Sequence, residues 1–172
     1  SSNDAIFTIS DKRIIPYLST ENAEAITIND SLPVIRLSNK SNDARVFGVV
    51  SRKENNLDSS HRTHASGNWI SILPKVKGDD RLYINSVGEG AIWVCNYNGN
   101  IIRNGDYITT CPIIGMGVKQ NDDILHNYTV AKITCTVRFN NSSSYNSFMN
   151  KTVSYQGNPY RCAFVGCTYH CG

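Results

Sequence analysis

Long apolar runs, like-charge clusters and helical periodicity are all scarce in this chain of 172 residues. No apolar stretch approaches the roughly 20 residues of a membrane-spanning helix, so no membrane partner is expected. The 17 Lys and Arg are scattered without a run of five, and the formal net charge is only +3. Nucleic acid, which binds through rows of cations, is therefore not an expected partner either. A weakly positive surface suits an acidic partner such as a polyuronate. No repeat with a period of roughly 20–50 residues is seen, so a solenoid or propeller array gains no support. The opening, SSNDAIF, has no Met and neither the basic nor the apolar segment of a secretory signal. The expectation is a processed fragment or a chosen stretch of a longer chain. A chain of this size suits one domain, which buries roughly 70% of its unfolded surface, so a core does not require staples.

What the chain does have is a succession of short β-branched runs cut by turn residues. From Gly88 to Lys132 the runs Ala91–Cys95, Tyr107–Thr109, Ile113–Gly117 and Thr129–Ile133 are separated by Gly88-Glu89-Gly90, Asn98-Gly99-Asn100 and Asn104-Gly105-Asp106. Asn-Gly favours the type I′ hairpin turn, because both residues tolerate positive φ. The segment therefore predicts a packed β-meander. Arg45–Ser51 (RVFGVVS) predicts a buried strand, in which Gly48 marks a bulge or a close backbone approach. Strands are also expected at Ala5–Ile9, Val34–Leu37, Asn68–Leu73, Arg81–Ser86 and Tyr128–Phe139, with a long polar loop over 52–67. The one helical candidate is a single turn at Asp122–Asn127. The fold class expected is all-β: a single-domain sandwich or barrel-like meander of short antiparallel strands with long polar loops. Residues 1–139 read as the β-rich core. Residues 140–172 read as a Tyr/Asn/Ser-rich arm and a Cys-rich tail packed on it.

Four groups carry chemistry. Cys162, Cys167, His170 and Cys171 crowd the tail, and three thiolates with one imidazole can enclose a tetrahedral zinc. The alternatives are free thiols or disulfides. Six cysteines allow up to three bridges, among them Cys162–Cys171 or Cys167–Cys171, and spacing does not fix the pairing. No metal is favoured and no cofactor is implied. In the polar loop, His61, Arg62 and His64 place two imidazoles beside a guanidinium. Elimination on a uronate needs a base for the proton α to the carboxylate and a cation to neutralise that carboxylate. Asp122, Asp123, His126 and Tyr128 form a second candidate cluster, unless the aspartates merely cap a helix start. Tyr145, Tyr155, Tyr160 and Tyr169 suit either sugar stacking or core contacts. Trp69 and Trp93 lie within apolar strands and are expected in the core.

RVFGVVS (45–51), GDYIT (105–109), GMGVKQ (115–120) and NYTVAKI (127–133) occur in an order that resembles a known family. It is that of the autoproteolytic, intramolecular-chaperone C-terminal domains of phage neck-appendage and tail-spike proteins. The resemblance covers about residues 44–137. Within this group the chain looks most like the C-terminal domain of a chlorovirus virion protein, and the tail YRCAFVGCTYHCG is a further point of contact. The resemblance implies a domain released from a precursor by cleavage at or near Ser1, β-rich and homotrimeric. It also implies location in the virus particle and action at the algal cell wall, as a lyase on uronic-acid-containing polysaccharide. The alternatives are a non-enzymatic trimerisation and assembly chaperone, or a carbohydrate-binding fibre tip. Ser10-Asp11-Lys12-Arg13 resembles the start of a related chaperone family, but Ile14-Ile15 stands where that pattern has Lys.

Overall fold

A computed structural model describes residues 4–12, 31–53, 62–66, 69–73 and 80–171, with backbone alone for 62–66 and 69–73. The chain is all-β. Its strands are β1 (Ile6–Ile9), β2 (Ile35–Leu37), β3 (Val46–Lys53), β4 (Arg62–Ser66), β5 (Trp69–Leu73), β6 (Leu82–Asn85) and β7 (Val87–Cys95), followed by β8 (Ile101–Ile102), β9 (Tyr107–Thr110), β10 (Gly117–Lys119), β11 (Ala131–Ile133), β12 (Val137–Arg138), β13 (Met149–Tyr155) and β14 (Asn158–His170). The helix α1 spans Ser142–Tyr145.

The largest sheet runs β11-β9-β10-β7-β14-β13, and β11 also pairs with β14. That second pairing closes β7, β14, β11, β9 and β10 into a five-stranded barrel, with β13 attached as a flap. All its pairings are antiparallel except β7 with β10, which run parallel through Gly117 and Val94. The interior follows from the period-2 alternation of strands. Ile92 and Val94 of β7 face inward with Ala163, Val165, Cys167 and Tyr169 of β14, and Ile108, Ala131 and Ile133 complete the lining. A four-stranded sheet, β2-β1-β3-β6, packs on the barrel and places Ile6, Val46 and Val49 in the same core. Backbone bonds from Ile6 N to Gly115 O (3.0 Å) and from Gly115 N to Ser38 O (2.9 Å) join the two.

RVFGVVS is the buried strand expected, and Gly48 meets both expectations. The β1–β3 register slips beside it, and a Cβ there would come within 2.6 Å of Asn85 O. Other expectations change. The Asn-Gly pairs do not close hairpins: β8 leaves β7 to pair with β12, so these turns are corners between sheets. Gly99 and Gly105 have positive φ, whereas Asn98 and Asn104 do not. The two-residue turn with positive φ at both positions is Gln156-Gly157 (φ 48° and 77°), which joins β13 to β14 through the facing pair Tyr155 and Asn158.

The run Tyr128–Phe139 is two short strands in different sheets, broken at Thr134–Thr136. Asp122–Asn127 is a bend and turn rather than a helical turn. Residues 140–172, read as arm and tail, contribute the longest strand: β14 pairs with β7 over nine positions, Cys162 to His170. The loop expected over 52–67 is shortened at both ends by strand, and β4 pairs with β5. Trp93 sits on the barrel's outer face, half-buried, 5.4 Å from Phe164 and with Lys151 Nζ 4.3 Å above its ring.

Candidate active site

The loop between β10 and β11 carries the candidate cluster. Gln120, at the end of β10, is buried and holds the loop by its amide. Its Nε2 donates to Ile124 O (2.7 Å) and Asp122 Oδ1 (2.8 Å), and its Oε1 accepts from the Thr129 hydroxyl at 2.6 Å. The Asp122 carboxylate also accepts from Ile124 N (3.1 Å), the side-chain-to-backbone turn that short acidic side chains favour. That geometry replaces the helix start expected for Asp122. The same carboxylate meets His126 Nε2 at 2.9 Å through Oδ2, and the imidazole stacks on Tyr128 with 4.5 Å between ring centres. The hydrogen bond from His126, with those from Ile124 and Gln120, holds the Asp122 carboxyl below the usual carboxylate range.

With Nε2 committed to Asp122, the tautomer carrying its proton there leaves Nδ1 as an acceptor. An acceptor nitrogen oriented by a carboxylate is the arrangement of a general base. Asp122, His126 and Tyr128 are thus brought together, and both His126 and Tyr128 are only partly buried. Asp123 is exposed beside them. Of the other sequence candidates, His61 and Ser1 lie outside the described residues. Arg62 and His64 lie on β4, with Leu73 and Ser71 as their register partners.

The zinc set cannot assemble. Cys162, Cys167 and His170 lie on one extended strand, and at about 3.3 Å per residue the five positions from Cys162 to Cys167 span about 17 Å. All six cysteines are free thiols, which is, of the two alternatives to zinc, the one without bridges. Cys95 and Cys162 instead face each other across β7 and β14, and Cys111 joins them in a buried cluster with Met116 and Val118. Among the described residues no group of three or more His, Cys, Asp or Glu is arranged to hold a metal.

One surface feature escaped the sequence reading. A polar groove of about 410 Å³ is lined by Asn96 and Asn100 after β7, Phe139 and Asn140 before α1, Thr152 on β13, and Pro159, Tyr160 and Arg161 on β14. Only the surplus of Asn and Tyr hinted at it, since its walls come from four separated segments. Compared with protein-family models, curated proteins and solved structures, the chain matches none of them.

Proposed function

We propose that this chain is a self-released domain of a viral virion protein that degrades host algal cell-wall polysaccharide, cleaving a uronic-acid-containing glycan by β-elimination. The observation that carries the chemistry is the 2.9 Å contact between Asp122 and His126 beside Tyr128. In the reaction the free nitrogen of His126 takes the proton α to the uronate carboxylate. The electron pair of that C–H bond forms the new carbon–carbon double bond as the β C–O bond breaks, and the leaving oxygen takes a proton from the Tyr128 hydroxyl or from water. Asp122 is a positioning residue: it fixes the imidazole tautomer and stabilises the imidazolium. Neutralising the substrate carboxylate requires a cation, the part that Arg62 fills in the loop reading. The viral part of the proposal, and the homotrimer that goes with it, rest on the likeness of RVFGVVS and the segments that follow it. A second reading, a carbohydrate-binding fibre tip without catalysis, is favoured by the polar groove.

The test is incubation with polyglucuronate while following the absorbance of the unsaturated product. The intact chain should generate it, and His126→Ala should slow the rate by about 100-fold or more, the usual weight of a general base. Asp122→Asn should lower kcat with little change in KM. No absorbance rise from the intact chain removes the lyase reading, and full activity in His126→Ala removes the assigned base.

A further inference from the structure

The polar groove combines features that select a particular ligand chemistry. Most small-molecule sites of roughly 300–1,000 Å³ are predominantly apolar. This one, of about 410 Å³, is lined by the amide residues Asn96, Asn100 and Asn140, by Thr152, and by Arg161 with its guanidinium. Arg161 is its only charged lining residue among those described, and no carboxylate offsets it.

That cation is held in place before any ligand arrives. Its backbone N donates to Asn96 Oδ1 (3.0 Å), one guanidinium nitrogen donates to Phe139 O, and the guanidinium lies 4.9 Å from the centre of the Tyr145 ring. Tyr145 is itself fixed. Asn141 caps α1 by accepting from Ser143 N and Ser144 N, and the Tyr145 hydroxyl donates to Lys151 O at 2.9 Å. A guanidinium has five N–H donors in a planar fork, so most remain after the bond to Phe139. Such a fork matches a carboxylate in bidentate fashion.

The amides extend the pattern. Asn96 Nδ2 donates to Asn100 Oδ1 (3.1 Å), which leaves the Asn100 Nδ2 as a donor. The Asn140 amide has no partner among the described residues, although it lines the groove. Donors and acceptors in this density suit a ligand rich in hydroxyl groups. A polyphosphate chain is disfavoured, because one fixed cation does not neutralise successive phosphates.

We infer that the Asn96–Arg161 groove is a binding site for an acidic sugar unit of a glycan, with Arg161 pairing its carboxylate and Asn100 and Asn140 its hydroxyls. It is distinct from the Asp122–His126 cluster. Both nevertheless follow strands that leave the barrel side by side, since β7 and β10 are parallel, and Asn98 Nδ2 bonds Lys119 O at 3.2 Å to join the two loops.

Calorimetric titration with a glucuronic acid tetramer and the matching glucose tetramer tests the site, using His126→Ala so that no cleavage intervenes. The acidic tetramer should bind at least about 10-fold more tightly than the neutral one. Arg161→Ala should weaken it by about 10-fold or more, a loss expected for a charge-assisted bidentate pair. Asn140→Ala removes an exposed amide that the fold does not use, and should weaken binding several-fold with an unchanged unfolding midpoint. Equal affinity for the two tetramers overturns the carboxylate assignment. Absence of binding, or unchanged affinity in both Arg161→Ala and Asn140→Ala, overturns the site. Binding that persists without cleavage by the intact chain would sink the lyase and keep the groove.

Discussion

Tyr169 shows how much a single side chain decides in this barrel. Its hydroxyl accepts from Ala91 N (3.0 Å) and donates to Ala91 O (2.8 Å), doing at one point what a neighbouring strand would do. The ring crosses Gly90, where a Cβ would collide with it, so that glycine serves close approach rather than a turn. The tyrosines divide accordingly. Tyr145 and Tyr169 are buried in the core, while Tyr155 and Tyr160 stay half-buried, packed with Tyr97 against the cysteine cluster. The cysteines divide too. Its hydrogen bond to Cys111 pushes the Cys95 thiol up to about 12, and burial pushes Cys167 and Cys171 up to about 12 each. Cys162 is raised as well, by its bond to Cys95 and by burial. Thiols that stay protonated are poor nucleophiles. In the folded protein iodoacetamide should therefore modify Cys135, which is exposed, well before the others, and denaturation should release all six. Mass spectrometry of the intact chain reads the count; fewer than six alkylated after denaturation without reductant would reveal a disulfide.

Among the elements, the β13–β14 hairpin was the hardest to read. Its turn is Gln156-Gly157, with positive φ at both positions. A left-handed conformation costs an ordinary side chain roughly 1–2 kcal/mol, and Asn tolerates it better than Gln. Replacing Gln156 by Asn should stabilise the protein by about 0.5 kcal/mol, measured as a higher urea midpoint at unchanged slope; a lower midpoint would show that the turn depends on Gln156 itself. The Asn-Gly pairs carried the stronger turn signal yet formed corners, because β8 pairs with β12 rather than with β7 and so buries Ile102. By contrast β3 was legible from local sequence. Its β-branched run has to be buried on both faces, and its glycine sits where the neighbouring strand comes too near for a side chain.

At the level of the whole molecule, the barrel and the four-stranded sheet meet around Asp43. This residue is only 3% exposed, donates its backbone N–H to Thr110 Oγ1 (2.9 Å), and pairs with Arg45 Nε at 3.1 Å. Burial pushes its carboxyl up, but the bonds and charge of Arg45 outweigh this and hold it below the usual range. A carboxyl depressed in the folded state contributes stability above its unfolded value near 4, and loses it as pH falls through the folded value. The urea midpoint should therefore stay level above about pH 5 and fall below pH 4, and Asp43→Asn should flatten part of that fall while costing about 1–2 kcal/mol at neutral pH. An acid limb identical in the variant would place the titrating group elsewhere.

Class and candidate chemistry were open to reading from the chain alone. β-branched runs of strand length, turn residues between them and a surplus of Asn dictate an all-β fold with polar loops, because these are local preferences of backbone and side chain. The nearness of Asp122, His126 and Tyr128 was readable for the same reason, since seven residues of loop contain all three. Tertiary structure decided the rest. Which strand pairs with which depends on burying faces from distant segments, so the tail became the strand that closes the barrel and its cysteines were drawn apart along it. The groove joins Asn96, Thr152 and Arg161 only because β7, β14 and β13 lie side by side, an adjacency that no local stretch of sequence contains.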